Sequence, residues 1–353
     1  MIETVDILKI LLPATVSFII GLSITPILAH YLYKYKMWKK ESVALTLDGR
    51  PATLSRELHR DEEKRTPRMG GVLIWSSILF TTLLFAGLPY FIPAPMFFKL
   101  NFLSNNQTVL PLFTLIAASL VGLADDVLQV FGRGRYIAGG LALRERIPLV
   151  LLIGLCGAYW FYVKLDYSTL IIPFMGEFDL GIFFIPFFML IMLSLFSGGV
   201  IDGIDGLAGG IMASIFASYA GIAFFNNQID IAAFSSVATG AILAFLWFNI
   251  PPARFYMSET GMMGLTATLS VIAFLTHAVI PLFIIALPLY AASFSVIVQL
   301  LSKRFRNGKK VFLIAPLHHH FQALGWPGYK VTMRFWVVSV ICAILGMILA
   351  LIA

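Results

Sequence analysis

The sequence predicts an all-α membrane protein of about ten transmembrane helices, with both termini extracytoplasmic and its active-site residues at the cytoplasmic face. Three observations predict it. The 353 residues are 59% hydrophobic and only 12% charged, where an average soluble domain carries about 25% charged residues. The apolar residues gather into ten runs of roughly twenty, the length that crosses about 30 Å of hydrocarbon at about 1.5 Å per residue. The basic residues alternate with those runs as cytoplasmic loops do.

The runs lie near 7–33, 70–92, 108–131, 147–164, 182–200, 207–226, 231–248, 263–280, 281–302 and 333–352. Glu3 and Asp6 precede the first run where a signal peptide would be basic, and the run is long for one, so it is expected to be retained. The polar stretch 34–69 separates the first two spans. Asn101 to Thr108 and Asp166 to Asp179 read as outer loops, with Thr169 to Pro173 as a short hairpin strand. His277 and Pro281 mark the turn between the eighth and ninth spans. Cys156 and Cys342 fall within spans four and ten, suit apolar packing and carry no metal-ligand spacing. The chain reads as one polytopic unit over 1–353.

The formal charge of +7 is unevenly placed. Basic residues crowd the loop from Lys34 to Arg68, the group Arg133, Arg135, Arg144 and Arg146, the position Arg254, and the stretch from Lys303 to Arg334. Only Lys9, Lys99 and Lys164 lie elsewhere. Ten spans put all four basic groups inside and those three lysines outside, and merging any adjacent pair breaks the alternation. Most of these charges are anchors that orient the chain. A nucleic-acid binder would set them on a folded soluble surface, for which the chain has little room.

Projected on this topology, four ionisable clusters share the inner end: Asp125-Asp126 at the close of span three, Asp202 with Asp205 between spans five and six, Glu259 in the loop joining seven and eight, and His318-His319-His320 in the loop between nine and ten. A carboxylate costs roughly 2.5–3.5 kcal/mol at a bilayer centre, so several at one boundary read as a site. Taken singly, each has a plainer reading as a cap, a turn or solvated surface. Their common face is what argues otherwise. Asp202 and Asp205 share a face if helical, and Gly203, Gly206, Gly209 and Gly210 around them permit close approach. Hard oxygen ligands without thiolates suit Mg²⁺ or Mn²⁺, and Mg²⁺ bridging carboxylates to phosphates points to phosphoryl chemistry.

At these residues the chain resembles the phospho-N-acetylmuramoyl-pentapeptide-transferase family, within the polyprenyl-phosphate N-acetylhexosamine-1-phosphate transferase superfamily. The resemblance is carried by Arg65-Thr-Pro-Arg-Met-Gly-Gly71, Asp125-Asp126, Asp202-Gly-Ile-Asp-Gly-Leu-Ala208, Phe245-Leu-Trp-Phe-Asn249, Ala315-Pro-Leu-His-His-His-Phe321, Gly325-Trp-Pro327 and Arg334-Phe-Trp336. The histidine segment separates the muramoyl-pentapeptide branch from relatives using simpler sugars.

The resemblance implies a multi-pass enzyme of the bacterial inner membrane. It would move phospho-N-acetylmuramoyl-pentapeptide from UDP-N-acetylmuramoyl-pentapeptide to undecaprenyl phosphate, with Mg²⁺, giving lipid I and UMP. By the same resemblance Asp125 and Asp126 deprotonate or position the lipid phosphate, and Asp202 and Asp205 line the nucleotide and metal region. Asn249 belongs to the catalytic cleft, and Tyr256 falls where an aromatic ring stacks on uracil. Gln299 and His318 belong to the nucleoside-sugar side, with His319 and His320 beside them. Glu259 and Asp205 are the expected metal ligands, and a homodimer is expected by analogy. A phosphate attacking a diphosphate gathers negative charge that cations must neutralise. Arg144, Arg146, Lys64, Arg65 and the histidines are the candidates. The lipid phosphate brings its own anionic nucleophile, so a strong base is not obligatory.

Four positions depart from the resembled pattern. Glu259 follows Ser258 where the family has Gly-Asp, Gly199 replaces an asparagine, Gln129 a lysine and Arg68 a threonine. Rival readings are a transferase of N-acetylglucosamine-1-phosphate or another sugar, a proton-coupled transporter, and a scaffold without turnover. A transporter would place its ionisable groups along a path through the midplane.

Overall fold

The computed structural model describes residues 3–38, 66–103, 105–133 and 139–352. Helix α1 (Thr4–Lys34) starts where Glu3 N–H donates to Asp6 Oδ2 at 2.9 Å, so the two acids ahead of the first span form its cap. Next come α2 (Gly71–Phe91), the short α3 (Pro95–Leu100) and α4 (Asn105–Val130). Helix α5 (Leu143–Tyr159) is prolonged by a π-turn over Trp160–Lys164. Strands β1 (Thr169–Ile172) and β2 (Gly176–Asp179) pair antiparallel with Leu170 opposite Phe178, the hairpin predicted from the sequence. Helix α6 (Phe184–Ser197) lies between 3₁₀ turns, and α7 (Leu207–Phe225), α8 (Ile229–Asn249) and α9 (Ser258–Leu275) follow. The chain finishes with α10 (Val279–Ile285), α11 (Leu287–Phe305), α12 (Leu317–Ala323) and α13 (Gly328–Ile352).

Among the described residues nine helices are long and apolar enough to span a membrane, and α10 with α11 makes a tenth if the bent pair counts as one. Four boundaries differ from expectation, the simplest being the start of α13 at Gly328, ahead of 333. Helix α5 begins at Leu143, because Glu145 reaches back to the Ala142 N–H at 2.9 Å and starts the helix ahead of its apolar run. Helix α9 occupies Ser258–Leu275 instead of 263–280: its polar first turn is bonded by other segments, and His277 at φ 57° turns the chain after its end. The ninth span is broken, with a 75° bend at Ala286 between α10 and α11. Pro281 stands in the first turn of α10, where a missing N–H is harmless, so His277 alone carries the turn.

Helix α9 is the hub, with 94% of its span buried against 17% for α1 and 22% for α13. Glycines bring its neighbours close. A methyl on Gly71 of α2 would lie 2.1 Å from the Gly261 nitrogen, and one on Gly122 of α4 would lie 2.3 Å from the Glu259 carbonyl oxygen. No side chain fits at such a separation, so both helices meet the α9 backbone directly.

Contacts also sort the loops into two ends. Lys9 pairs with Asp230, and Glu3 lies 3.7 Å from Lys99. Tyr167 Oη and His277 Nδ1 are 3.0 Å apart, and Ala350 lines a cavity with His277 and Asn226. The opposite ends of α4, α8 and α9 meet around Asp126, Asn249 and Asp202, so the two ends alternate along the chain as the span count expects.

Gly122→Ala is expected to destabilise the fold by about 1–3 kcal/mol through overpacking. Gly87→Ala, where the nearest atom is 3.9 Å away, should be neutral or stabilise by up to about 1 kcal/mol. Thermal unfolding in detergent checks both, and equal midpoints for the two variants would contradict the close approach.

Candidate active site

Four aspartates converge on the first turn of α9 and the loops beside it, each taking a backbone N–H from another segment. Asp126, fully buried on α4, accepts Thr260 N–H at 2.9 Å and Thr260 Oγ1–H at 2.6 Å on one oxygen. Its other oxygen, Oδ1, is buried without a hydrogen-bond partner among the described residues. Asp125, adjacent and about 100° round the helix, faces the 139–146 segment. It accepts the Leu141 N–H and, at 2.8 Å, the Gln129 amide, and lies 3.3 Å from Arg146 Nη2.

Asp202 and Asp205 stand in the turn between α6 and α7. Asp202 accepts Ser258 N–H at 2.8 Å and Asp205 accepts Ala253 N–H at 2.9 Å. Desolvation pushes the Asp202 carboxyl up to about 6, with Glu259 and Asp205 adding repulsion and the Ser258 bond and Arg68 opposing it. The turn is held from behind. Asn249 accepts Gly206 N–H at 3.0 Å and donates to the Phe255 carbonyl at 2.9 Å, while Trp336 and Thr332 of α13 donate to the Gly206 and Asp205 carbonyls. Gly206, at φ 74°, is left-handed.

Glu259 pairs with Arg146, which also reaches Asp125 and donates to the Leu141 carbonyl. A second guanidinium, Arg68, donates to the Gln129 carbonyl oxygen, so two of the departures from the resembled pattern touch each other. The Arg68 segment is strapped to the 250–257 loop by Tyr256 N–H to Pro67 and Gly70 N–H to Tyr256, at 2.9 and 2.8 Å. Gly199 lies in the 3₁₀ turn before Asp202, and a methyl there would meet only Met262 at an ordinary 3.7 Å.

The histidine triplet forms part of α12, not a loop, because Pro316 starts a short helix whose residues point apart. His318 is fully buried, and the rings of His318 and His319 enclose Gly203: a methyl there would come 2.6 and 2.7 Å from their Nε2 atoms. Gly203 is thus a close-approach glycine beside Asp202. His320 turns away, accepting Leu313 N–H at 3.2 Å. Gln299 clamps the same loop, donating to the Phe312 carbonyl at 2.8 Å and accepting the Val311 and Phe312 N–H groups at 3.0 Å.

The predicted residues therefore divide by what their side chains touch. Asp125, Asp126, Asp202, Asp205, Glu259, Arg146, His318 and His319 surround the turn and the α9 terminus. Asn249, Gln299 and His320 bond to backbone and shape the surrounding loops. Tyr256 belongs to the loop strapped beside Arg68. Arg144 is exposed, and no bond among the described residues ties it to the cluster. Lys64 and Arg65 lie outside the described residues. Sequence reading gave no role to Ser258 or Thr260, although a serine and a threonine flanking a glutamate at a helix start were an available signal; the close approach it expected at Gly203 is the one the histidine rings make.

Among the described residues no three His, Cys, Asp or Glu side chains close into a metal cage. A Mg²⁺ shared with substrate phosphates asks for only one or two carboxylates, however. Among the described residues five acids stand against two guanidiniums, and Asp126 Oδ1 and Ser258 Oγ are buried without a hydrogen-bond partner, a hard-oxygen set of the kind that suits a cation.

Known proteins resemble this chain along most of its length. The profile of glycosyl transferase family 4 matches residues 108–277, which include Asp125, Asp202 and Glu259. Proteins named phospho-N-acetylmuramoyl-pentapeptide-transferase are similar over nearly the whole chain. The one from Thermoanaerobacter sp. (strain X514) is 31% identical across 96% of this chain and 98% of its own length. That of Anoxybacillus flavithermus is 32% identical across 96% of both, and that of Geobacillus sp. (strain WCH70) 33% across 98% of both.

Ser258 adopts φ 58°, a left-handed conformation that costs a residue with a Cβ about 1 kcal/mol or more. Ser258→Gly is therefore expected to raise stability by up to about 1 kcal/mol, read as a higher unfolding midpoint in detergent. A lowered midpoint would show instead that the serine side chain holds the turn.

Proposed function

This chain belongs to the phospho-N-acetylmuramoyl-pentapeptide-transferase family, and from that membership and the site's geometry we infer that it transfers phospho-N-acetylmuramoyl-pentapeptide from its UDP carrier to undecaprenyl phosphate, releasing UMP and forming lipid I. The observation that carries the reading is the set of four aspartates held by backbone N–H groups around the first turn of α9. The amide bonds orient the carboxylates, and the ion pair of Asp125 with Arg146 cancels only part of their charge, as suits a site for phosphate and a cation.

In the proposed reaction an oxygen of the lipid phosphate forms a new bond to the sugar-bearing phosphorus. The bond from that phosphorus to the UMP oxygen breaks, and UMP leaves with the electron pair. Glu259 and Asp205 are the proposed magnesium ligands, with Asp202 between them. Bound there, Mg²⁺ supplies charge neutralisation for the diphosphate and the leaving UMP. Asp125 and Asp126 position the lipid phosphate at the inner end of α4. Arg146 holds Asp125 and Glu259 at a fixed separation and keeps their like charges together. His318 and His319, on the far side of Gly203, face the nucleotide-sugar, and Tyr256 lies on the nucleobase side. The carboxylate end is proposed to be cytoplasmic, in a bacterial inner membrane, where the water-soluble donor and the lipid acceptor meet.

The test is a radiolabelled transfer assay with purified protein, Mg²⁺, undecaprenyl phosphate and the UDP-muramoyl-pentapeptide donor, with UDP-N-acetylglucosamine offered in competition. Label is expected in lipid from the muramoyl donor. Exclusive use of UDP-N-acetylglucosamine would replace this reading with the simpler-sugar one. Asp125→Asn, Asp126→Asn and Asp205→Asn should each lower turnover by about 10²-fold or more in protein that remains folded, and near-normal rates in all three would sink the site. Glu259→Asp should retain activity and Glu259→Ala should lose it, along with the response to magnesium. Cysteines placed at Lys9 and Arg304 should react with impermeant reagents from the outer and inner sides respectively.

A further inference from the structure

Two guanidiniums reach the carboxylate cluster, and they are differently placed. Arg146 contacts two acids, Asp125 and Glu259, through separate amino groups, so its charge is matched within the protein. The charge of Arg68 acts across space on Asp126, Asp202 and Glu259. Yet its side-chain bond among the described residues goes to a neutral group, the Gln129 amide oxygen.

That amide is itself locked. Its nitrogen donates to Asp125 Oδ2 at 2.8 Å, one helical turn back. A methyl on Gly140, a residue at φ 90°, would lie 2.6 Å from Gln129 Cγ and 2.6 Å from Asp125 Oδ1, so the space around both is filled. With its donor side committed to a carboxylate, Gln129 must offer its acceptor side to Arg68. The backbone of Arg68 is fixed too, through Arg68 N–H to the Met37 carbonyl at 2.8 Å and the straps on Pro67 and Gly70. Gln129 is thus an uncharged spacer between Asp125 and Arg68. It aims the guanidinium fork while keeping it out of an ion pair.

Resting on the proposed transferase reading, we propose that Arg68 is the phosphate-binding cation of this site, held by Gln129 so that its fork meets a phosphate of the incoming substrate. The fork suits two phosphate oxygens at once. The phosphate belongs either to the nucleotide diphosphate or to the polyprenyl phosphate, and kinetics separate the two.

The experiment measures kcat and KM for each substrate in turn with the other saturating, in wild type, Arg68→Gln, Arg68→Lys and Gln129→Glu. Arg68→Gln should raise KM for one of the substrates, or lower kcat, by at least about ten-fold, the size of one lost charge-assisted bond. The affected substrate identifies the phosphate, and Arg68→Lys should recover part of the loss. Gln129→Glu is the discriminating variant, because it converts the spacer into an ion-pair partner for Arg68. It should impair the same kinetic constant as Arg68→Gln, while the loss of the amide that donates to Asp125 lowers the unfolding midpoint. In the double variant Arg68→Gln with Gln129→Glu the two kinetic losses should not add, because both act through the guanidinium; independent damage at Asp125 would add in full and contradict the assignment. Constants within two-fold of wild type in both Arg68→Gln and Gln129→Glu would overturn the assignment while leaving the transferase reading intact. Absence of transfer by the wild type would overturn the transferase reading itself.

Discussion

The site depends on one kind of bond: a carboxylate anchored by a backbone N–H. Leu141, Thr260, Ser258 and Ala253 supply these to Asp125, Asp126, Asp202 and Asp205. An amide dipole satisfies a lone pair and aims the group without neutralising it, whereas an ion pair would close the charge within the protein. Two of the four donors belong to the first turn of α9, whose unpaired N–H groups and helix dipole favour anions. Asp126 and Asp202, from different segments, act as external caps for that turn. The turn reaches them because Gly71 and Gly122 let α2 and α4 lie against the α9 backbone. Small residues at helix crossings and acids at a helix start are therefore two halves of one arrangement.

The same helix separates the molecule's two polar ends. From Gly261 to Leu275, α9 carries hydroxyl and apolar side chains and no acid or base, and nearly all of it is buried. At one end lie the carboxylates. At the other lies Tyr167, packed against Phe161, Phe184 and the His277 ring and pushed up to about 12 by burial. The hub helix offers no titratable relay between the ends, which disfavours a proton-coupled transporter. A phosphoglycosyl transferase working at one boundary, where a lipid and a soluble nucleotide meet, needs no such path.

Much of this was legible in the sequence, for reasons that can be named. Apolar runs and the alternation of lysines and arginines located the spans, because hydrocarbon thickness and loop charge act on the chain one segment at a time. The shared end of Asp125, Asp202, Glu259 and His318 followed from counting spans. What did not follow was anything decided by register between helices. Ser258, Glu259 and Thr260 read as polar loop because hydropathy cannot see that Asp202 and Asp126 will cap them into a helix. The break at Ala286 lies inside an unbroken apolar run. The histidines read as loop because their run is short and polar, yet they form α12. Asn249 and Gln299 were assigned to substrate, while their amides bond to backbone, a distinction that only a third dimension reveals.

The departures from the resembled pattern gain meaning from their contacts. Glu259, longer by a methylene than the expected aspartate, reaches Arg146, and Arg146 ties it back to Asp125. Ser258 supplies the N–H that Asp202 accepts, at a φ suited to the glycine it replaces. Arg68 and Gln129 bond to each other, and Gln129 bonds to Asp125. Glu259 through Arg146, and Arg68 through Gln129, meet at Asp125, while Gly199 touches neither group. Within them a cation stands at 68 where the pattern expects one at 129, and an acid is lengthened, not lost. An idle scaffold would be under no constraint to keep five acids together, two of them fully buried, since replacing them with apolar groups would relieve repulsion and burial cost. That they stay, with charge relocated between contacting residues, is the physical argument that this divergent site still does chemistry.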